Sequence, residues 1–449
     1  MKKILFILLL LPGFADAQII TTVAGNGTTT NSGDGGLAIN AGFFLINGVS
    51  FDNHGNLLIS SAGSVRKLDT LTGILSLFAG DSLGGTTLGD GGLAVYASMM
   101  PVQTCVDDSG NTYIGDDINK RVRKVDAATG IISTVAGKGT IGASGDGGPA
   151  DSASFENTDL ICLDHSGNLY IADTWNSKVR KVNLSTGIIT RYAGTGVSGY
   201  SGDGGPATNA KFSQVDAICL DYSGNLYIGD RSNGRIREVN AVTGIVTTFA
   251  GKGMEGWSGD GGNADSAEFS RVSAMAFDSS GNLFLADIDN NRIRRIEAES
   301  HIITTVAGNG PECAPPATGG CGTFGGDGGP AVSCYLHTPF SLCLNHSGNI
   351  YIGDYANYRV RKVGYESKTE VSEINNTQRI AIYPNPATTS LTITSGENIK
   401  TLTITNLLGQ PIYSHGYNTD KAEVDVSTLP TGIYLIRING TEVRKFVKE

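Results

Sequence analysis

Six aspartates are the first residues that could do chemistry, because the chain sets them at a nearly constant interval. Asp34, Asp90, Asp146, Asp203, Asp260 and Asp327 each stand in a Gly-Asp-Gly-Gly segment, first written as Ser32-Gly33-Asp34-Gly35-Gly36. The steps between them are 56, 56, 57, 57 and 67 residues. Ca²⁺ takes several oxygen ligands, so these six are the candidate metal positions. One carboxylate per repeat, spread round a ring, does not converge on one ion. Glycines with positive φ, and an aspartate accepting from nearby amides, make a tight loop instead. The expectation is a structural loop and no cofactor, with Ca²⁺ the alternative.

A second set recurs with the same period. Asp116, Asn119 and Arg121 return as Asp173, Asn176 and Lys178, and then as Asp230, Asn233 and Arg235. They return again as Asp287, Asn290 and Arg292, and as Asp354, Asn357 and Arg359. Locally, Asp and Asn cap a hairpin and the cation across the turn pairs with the Asp. Functionally, the same residues form a mixed-charge ring at a channel mouth that contacts a polar ligand. They are the candidate binding residues. No Gly-x-Ser-x-Gly elbow, phosphate loop or His-Glu-x-x-His pair occurs. His54, His165 and His346 read as turn residues, and no catalytic residue is assigned.

Elements that position these residues follow from the period, which is read before any local pattern. In the third copy, Leu160-Ile161-Cys162-Leu163 leads to the turn Asp164-His165-Ser166-Gly167-Asn168, and Leu169-Tyr170-Ile171-Ala172 follows it. Lys178-Val179-Arg180-Lys181-Val182 and Ile188-Ile189-Thr190-Arg191-Tyr192-Ala193 complete four short strands. Such a meander cannot bury both faces alone, so copies must stack, and radial stacking gives a propeller. The Gly-Asn turn occurs six times, at Gly55, Gly110, Gly167, Gly224, Gly281 and Gly348. Six blades are predicted, with residues 19–24 as the outer strand of the last. The fold class is all-β: a six-bladed propeller over 18–363, a linker over 364–379, and a small Ig-like β-sandwich over 380–449.

Gly224-Asn225-Leu226-Tyr227-Ile228-Gly229-Asp230, then Asn233, then Arg235-Ile236-Arg237, resembles the NHL repeat, as do residues 281–294 and 348–361. The first copy departs from it, with Ser60 read in place of the Asp and two residues missing before Val65-Arg66. In the tail, Tyr383-Pro384-Asn385-Pro386, the strand Gly432-Ile433-Tyr434 and the terminal Lys445-Phe446-Val447-Lys448 resemble the type A C-terminal sorting domain of the type IX secretion system of Bacteroidetes. That resemblance implies passage to the outer-membrane surface or medium, with the secretion machinery as a partner.

The two ends of the repeat assign the ligand. Turns between the first and second strands are tight, while the connections between blades are long. Loops on a rigid scaffold are where binding concentrates, so the long-loop face is expected to hold a protein or glycan ligand. The function expected is a secreted or surface binding scaffold. Some six-bladed propellers are lactonases or lyases, so a channel-centred hydrolase or lyase is the alternative.

Lys2 and Lys3, an apolar run over 4–11 and Ala15-Asp16-Ala17 read as a signal peptide cleaved between Ala17 and Gln18. That run is shorter than the roughly 20 apolar residues a membrane span needs, and no other such run follows. A net charge of -10 argues against nucleic acid, whose phosphates call for clustered Lys and Arg. Of seven cysteines, Cys105, Cys162, Cys219 and Cys343 share one repeat position with Ser50 and Ala276, so they read as packed thiols. Cys334 takes the place of Ala153, which leaves Cys313 and Cys321 as the expected disulfide of the one long insertion.

Overall fold

Short apolar runs between glycine turns pair into six antiparallel four-stranded blades, at 46–79, 101–136, 160–193, 215–250, 272–307 and 339–365. The computed structural model describes residues 18–81, 88–310, 324–365, 381–384, 386–406, 410–439 and 442–448. The expected signal peptide before Gln18, the expected disulfide pair Cys313 and Cys321, and the expected linker beyond Tyr365 lie outside these.

The first strands of the blades neighbour one another in chain order, and Pro339–Leu344 of blade 6 meets Ile46–Phe51 of blade 1. Gln18–Ala24 joins blade 6 as its outer strand, antiparallel to Arg359–Tyr365, with Ile20 opposite Val363. Ile20 and Ala24 are fully buried. One blade is thereby built from both ends of the propeller, which closes the ring.

Each connection between blades passes along the outer strand of the blade it is about to build. Gly205–Pro206 pairs with Ile245–Ala250, and single bridges such as Leu37 to Ile74 repeat this elsewhere. The loops thus cover strand edges that would otherwise offer unpaired amides. Glycine is required where the loop turns back: at Gly145, with φ +107°, a Cβ would lie 2.7 Å from the Ala153 Cα. Cys334 fills the Ala153 position in blade 6 and is fully buried, and Cys219 is buried among apolar side chains.

The chain splits after Glu366, and the second unit is a separate five-stranded β-domain. Its long strands, Ser390–Thr405 and Pro411–Asp425, pair along their length with register shifts near Ile399. Ala381–Tyr383, Gly432–Ile438 and Glu442–Lys448 complete it around Leu391, Ile393, Leu402, Ile404, Ile436 and Phe446.

Candidate functional site

Six arginines, Arg66, Arg123, Arg180, Arg237, Arg294 and Arg361, are at most 1% exposed although each is charged. They sit on the third strands and explain the repeating aspartates. A buried guanidinium must satisfy its donors and its charge, and it does so with carboxylates and carbonyls. Arg123 reaches Asp90 at 2.6 Å and Asp116 at 3.3 Å, and Arg361 reaches Asp327 at 2.7 Å and Asp354 at 3.2 Å. Arg294 reaches Asp260 at 2.8 Å and Asp287 at 3.5 Å, while Arg180 reaches Asp146 at 2.9 Å and stands 3.9 Å from Asp173. Arg237 pairs with Asp203 and, at 3.3 Å, with Asp230. Among the described residues, Arg66 has Asp34 as its one carboxylate partner, at 2.9 Å. Every candidate metal aspartate is therefore committed to an arginine. Among the described residues, no group of three or more His, Cys, Asp and Glu side chains is placed to hold a metal ion.

The candidate binding residues are also turned inward. Asp116, Asp173, Asp230, Asp287 and Asp354 are fully buried, so they line no channel mouth. Each accepts from a backbone amide of the connection, as from Met100 at 3.0 Å and His337 at 2.7 Å. Asn119, Asn176, Asn233, Asn290 and Asn357 each donate to that aspartate at 2.8–2.9 Å. Arg121, Arg235, Arg292 and Arg359 turn to the backbone beside the turn. They grip carbonyls, Arg121 those of Asn119 at 3.0 Å and Lys138 at 2.9 Å. Lys178 is half-buried at the matching place. Burial pushes Asp173, Asp230 and Asp287 up to about 6, against the pull of the Asn and Arg partners.

In the first blade the register puts Ser61, not Ser60, where the other blades have aspartate. Ile59 faces Arg66 as Ile114 faces Arg123, so Ser61 matches Asp116. At the long-loop end, Asp159 lies against Asp117, and Asn157 Nδ2 bridges their carboxylates at 3.0 and 3.2 Å. Burial and then the Asp117 charge push Asp159 up to about 7.

A concavity lies on the opposite, tight-turn face, whereas the ligand was expected on the long-loop face. It is a cleft of about 530 Å³ between blades 3 and 4, lined by Tyr170, Lys181, Tyr192, Tyr222 and Phe277, with Asp164 and Asp221 in its turns. Two smaller clefts continue it across blades 5 and 6, and both share Tyr222 and Phe277. Tyr222 is 71% exposed at their junction. Its turn is fixed by Asp221, which accepts from the Ser223 and Asn225 amides at 2.9 and 2.8 Å. His165 and His346 occupy the same turn position in their blades and line the first and third clefts. One signal was present in the sequence: in the repeated turn Asp-x-Ser-Gly-Asn, only Tyr222 puts a large phenol at x.

Two family profiles match the chain: the Teneurin NHL domain over residues 261–364 and the secretion system C-terminal sorting domain over 381–449. The chain is an NHL-repeat propeller with a type IX sorting tail. Teneurin-1 of Gallus gallus is 26% identical over 445 residues, covering 92% of this chain and 16% of the relative. Teneurin-4 of Mus musculus is 26% identical over 340 residues, covering 70% of this chain and 12% of the relative. The chain thus spans under a fifth of the length of either relative. Two solved structures from Bacteroides thetaiotaomicron share the fold. A protein of unknown function has a TM-score of 0.56 at 16% identity, covering 78% of this chain and 76% of its own. An auxiliary nutrient binding protein has a TM-score of 0.53 at 18% identity, with the same coverages. The sorting domain of this NHL propeller directs export through the type IX system to the cell surface or beyond. Among the described residues, no helix is long and apolar enough to cross a membrane.

Proposed function

We propose that the exported propeller is a binding module, acting without catalysis, whose protein or glycan ligand docks in the tight-turn groove of blades 3–6. The observation that carries this reading is the row of three clefts meeting at the exposed Tyr222. A cleft with aromatic walls and a few fixed polar groups is the usual form of a ligand site. The auxiliary nutrient binding protein that shares the fold lends support of the same kind. A lactonase- or lyase-like channel needs an acid and a base that converge, whereas His165 and His346 stand in separate turns.

The test is a glycan array and a surface-protein array probed with the full chain and with Tyr222→Ala. A ligand whose signal falls about tenfold or more in the variant supports the groove. Ligands that bind both proteins equally would place the site elsewhere.

A further inference from the structure

The connections that lead into blades 4, 5 and 6 break the repeat at one position. Three residues before the loop aspartate, the chain carries Asn31, Thr87, Ala143, Tyr200, Trp257 and Phe324 in order. The aromatics fall on three consecutive blades, at the long-loop end. Each lies over the turn arginine of its own blade. Arg235 Cζ is 4.1 Å from the Tyr200 ring, Arg292 4.4 Å from Trp257, and Arg359 3.8 Å from Phe324.

The arginines are fixed from behind. Arg235 donates to the Asn233 and Lys252 carbonyls at 2.9 and 3.1 Å, and Arg359 donates to those of Asn357 and Asn26 at 2.9 Å each. Arg292 donates to those of Asn290 and Asn309 at 3.3 and 3.1 Å. A planar fork tied to two carbonyls cannot rotate, so a ring stacked on it is held flat. The rings nevertheless remain 44%, 45% and 40% exposed.

Two of the rings also cover the ion network, since Tyr200 lies 4.9 Å from Arg237 and donates its hydroxyl to Asp203 at 2.9 Å, and Phe324 lies 4.8 Å from Arg361. In blade 2, Arg121 grips the equivalent pair of carbonyls with Thr87 at the sequence position, and blade 3 has Ala143 beside Lys178. Blades 1 to 3 carry no aromatic at this position, so three exposed rings on adjacent blades are not a requirement of the repeat itself.

We propose that Tyr200, Trp257 and Phe324 form a second binding surface, for an uncharged oligosaccharide that runs across blades 4 to 6 and stacks a pyranose ring on each aromatic. A rigid flat ring accepts the C–H face of a sugar with little loss of conformational freedom. Three such platforms on one chain ligand act together, so weak single contacts sum to a useful affinity. The carboxylates of the same loops, Asp203, Asp260 and Asp327, are committed to buried arginines. They offer a cationic ligand little, and a net charge of -10 disfavours a polyanion. The surface is independent of the tight-turn groove and of the ligand proposed there.

The test uses Trp257 itself. The sequence has two tryptophans, so Trp175→Phe in the full chain leaves Trp257 as the sole indole emitter. Cellohexaose, xylohexaose, mannohexaose and maltohexaose are the probes. At least one is expected to give a saturable change in Trp257 emission. Tyr200→Ala and Phe324→Ala should each weaken it about tenfold, while Tyr222→Ala leaves it unchanged. Thermal melts confirm that the variants stay folded. The proposal is overturned if none of the four hexasaccharides changes the emission at millimolar concentration, or if the Tyr200→Ala/Phe324→Ala double variant binds as tightly as its parent. It is equally overturned if the effect follows Tyr222, or if only an extended peptide produces it.

Discussion

Replacing Arg237 with methionine tests the buried ion network, because the first blade supplies an internal control. Methionine keeps the unbranched stem and removes the charge. Arg237 holds Asp203, which is 36% exposed, and Asp230, which is fully buried, and its Nη2 also takes the Ser201 carbonyl. After the substitution, Asp230 Oδ1 keeps the Ser213 amide and Asn233, but Oδ2 loses Arg237. Stranding a buried carboxylate in this way costs about 3–5 kcal/mol. Arg66→Met strands only Asp34, whose side chain is 44% exposed and can be hydrated, together with the Ser32 and Gly42 carbonyls. Its cost should be nearer 1–3 kcal/mol. Equilibrium urea unfolding of the full chain, read at equal m-values, gives the comparison. Burial already holds Asp230 up at about 6 beside Arg237. Without the guanidinium it should take up a proton more readily, so the Arg237→Met penalty should shrink between pH 8 and pH 5. Adding Asp230→Asn should recover part of the loss at pH 8. An Arg66→Met penalty as large as that of Arg237→Met, or a double variant no better than the single one, would refute the reasoning.

A chain that begins at Thr28 should be far less stable than one that begins at Gln18, because Ile20 and Ala24 are buried in a blade ladder; a melt within about 2 °C of the longer chain contradicts ring closure. Asp159 has a raised pKa, so its contribution is present below the ordinary carboxylate range and is lost as pH rises through about 7. Asp159→Asn should therefore gain stability on the parent as pH increases from 5 to 8, by about 2–4 kcal/mol, and a pH-independent difference counts against the raised pKa of the buried Asp159. Since each loop aspartate is occupied by an arginine, 1 mM (roughly, a saturating level for an exported Ca²⁺ site) of either CaCl₂ or EDTA should leave the urea midpoint of the full chain unchanged; a Ca²⁺-dependent rise would restore the metal reading.

Much of the architecture was legible because it is written in local chemistry. Gly-Asn turns, Ala-Gly strand ends and the loop glycines are each fixed by backbone conformation, and counting them yields six blades and the closing strand Gln18–Ala24. The packed thiols were legible too, since a position that accepts Ser, Ala and Cys has to be small; Cys219 is buried there, and Cys334 is buried at the place of Ala153. The export address lies in the tail motifs at Tyr383, Gly432 and Lys445, which act as sequence signatures whatever the propeller does.

The ionic partners were not legible, because proximity in the chain misled. Asp116 faces Arg121 across its hairpin, yet it pairs with Arg123, which also takes Asp90 from a loop 33 residues upstream. Only tertiary packing brings that loop down the blade edge and buries Arg123 so deeply that both carboxylates are needed. Clefts are decided the same way: Tyr170, Tyr192, Tyr222 and Phe277 come from three blades, and the space between them depends on how neighbouring sheets meet. The sequence by itself determined the number of blades, the closure and the destination, since each is set by turns and motifs acting alone. Which carboxylates are spent on structure, and which face keeps open aromatic surface, was decided only when the blades packed, because burial and charge pairing are properties of the assembled ring.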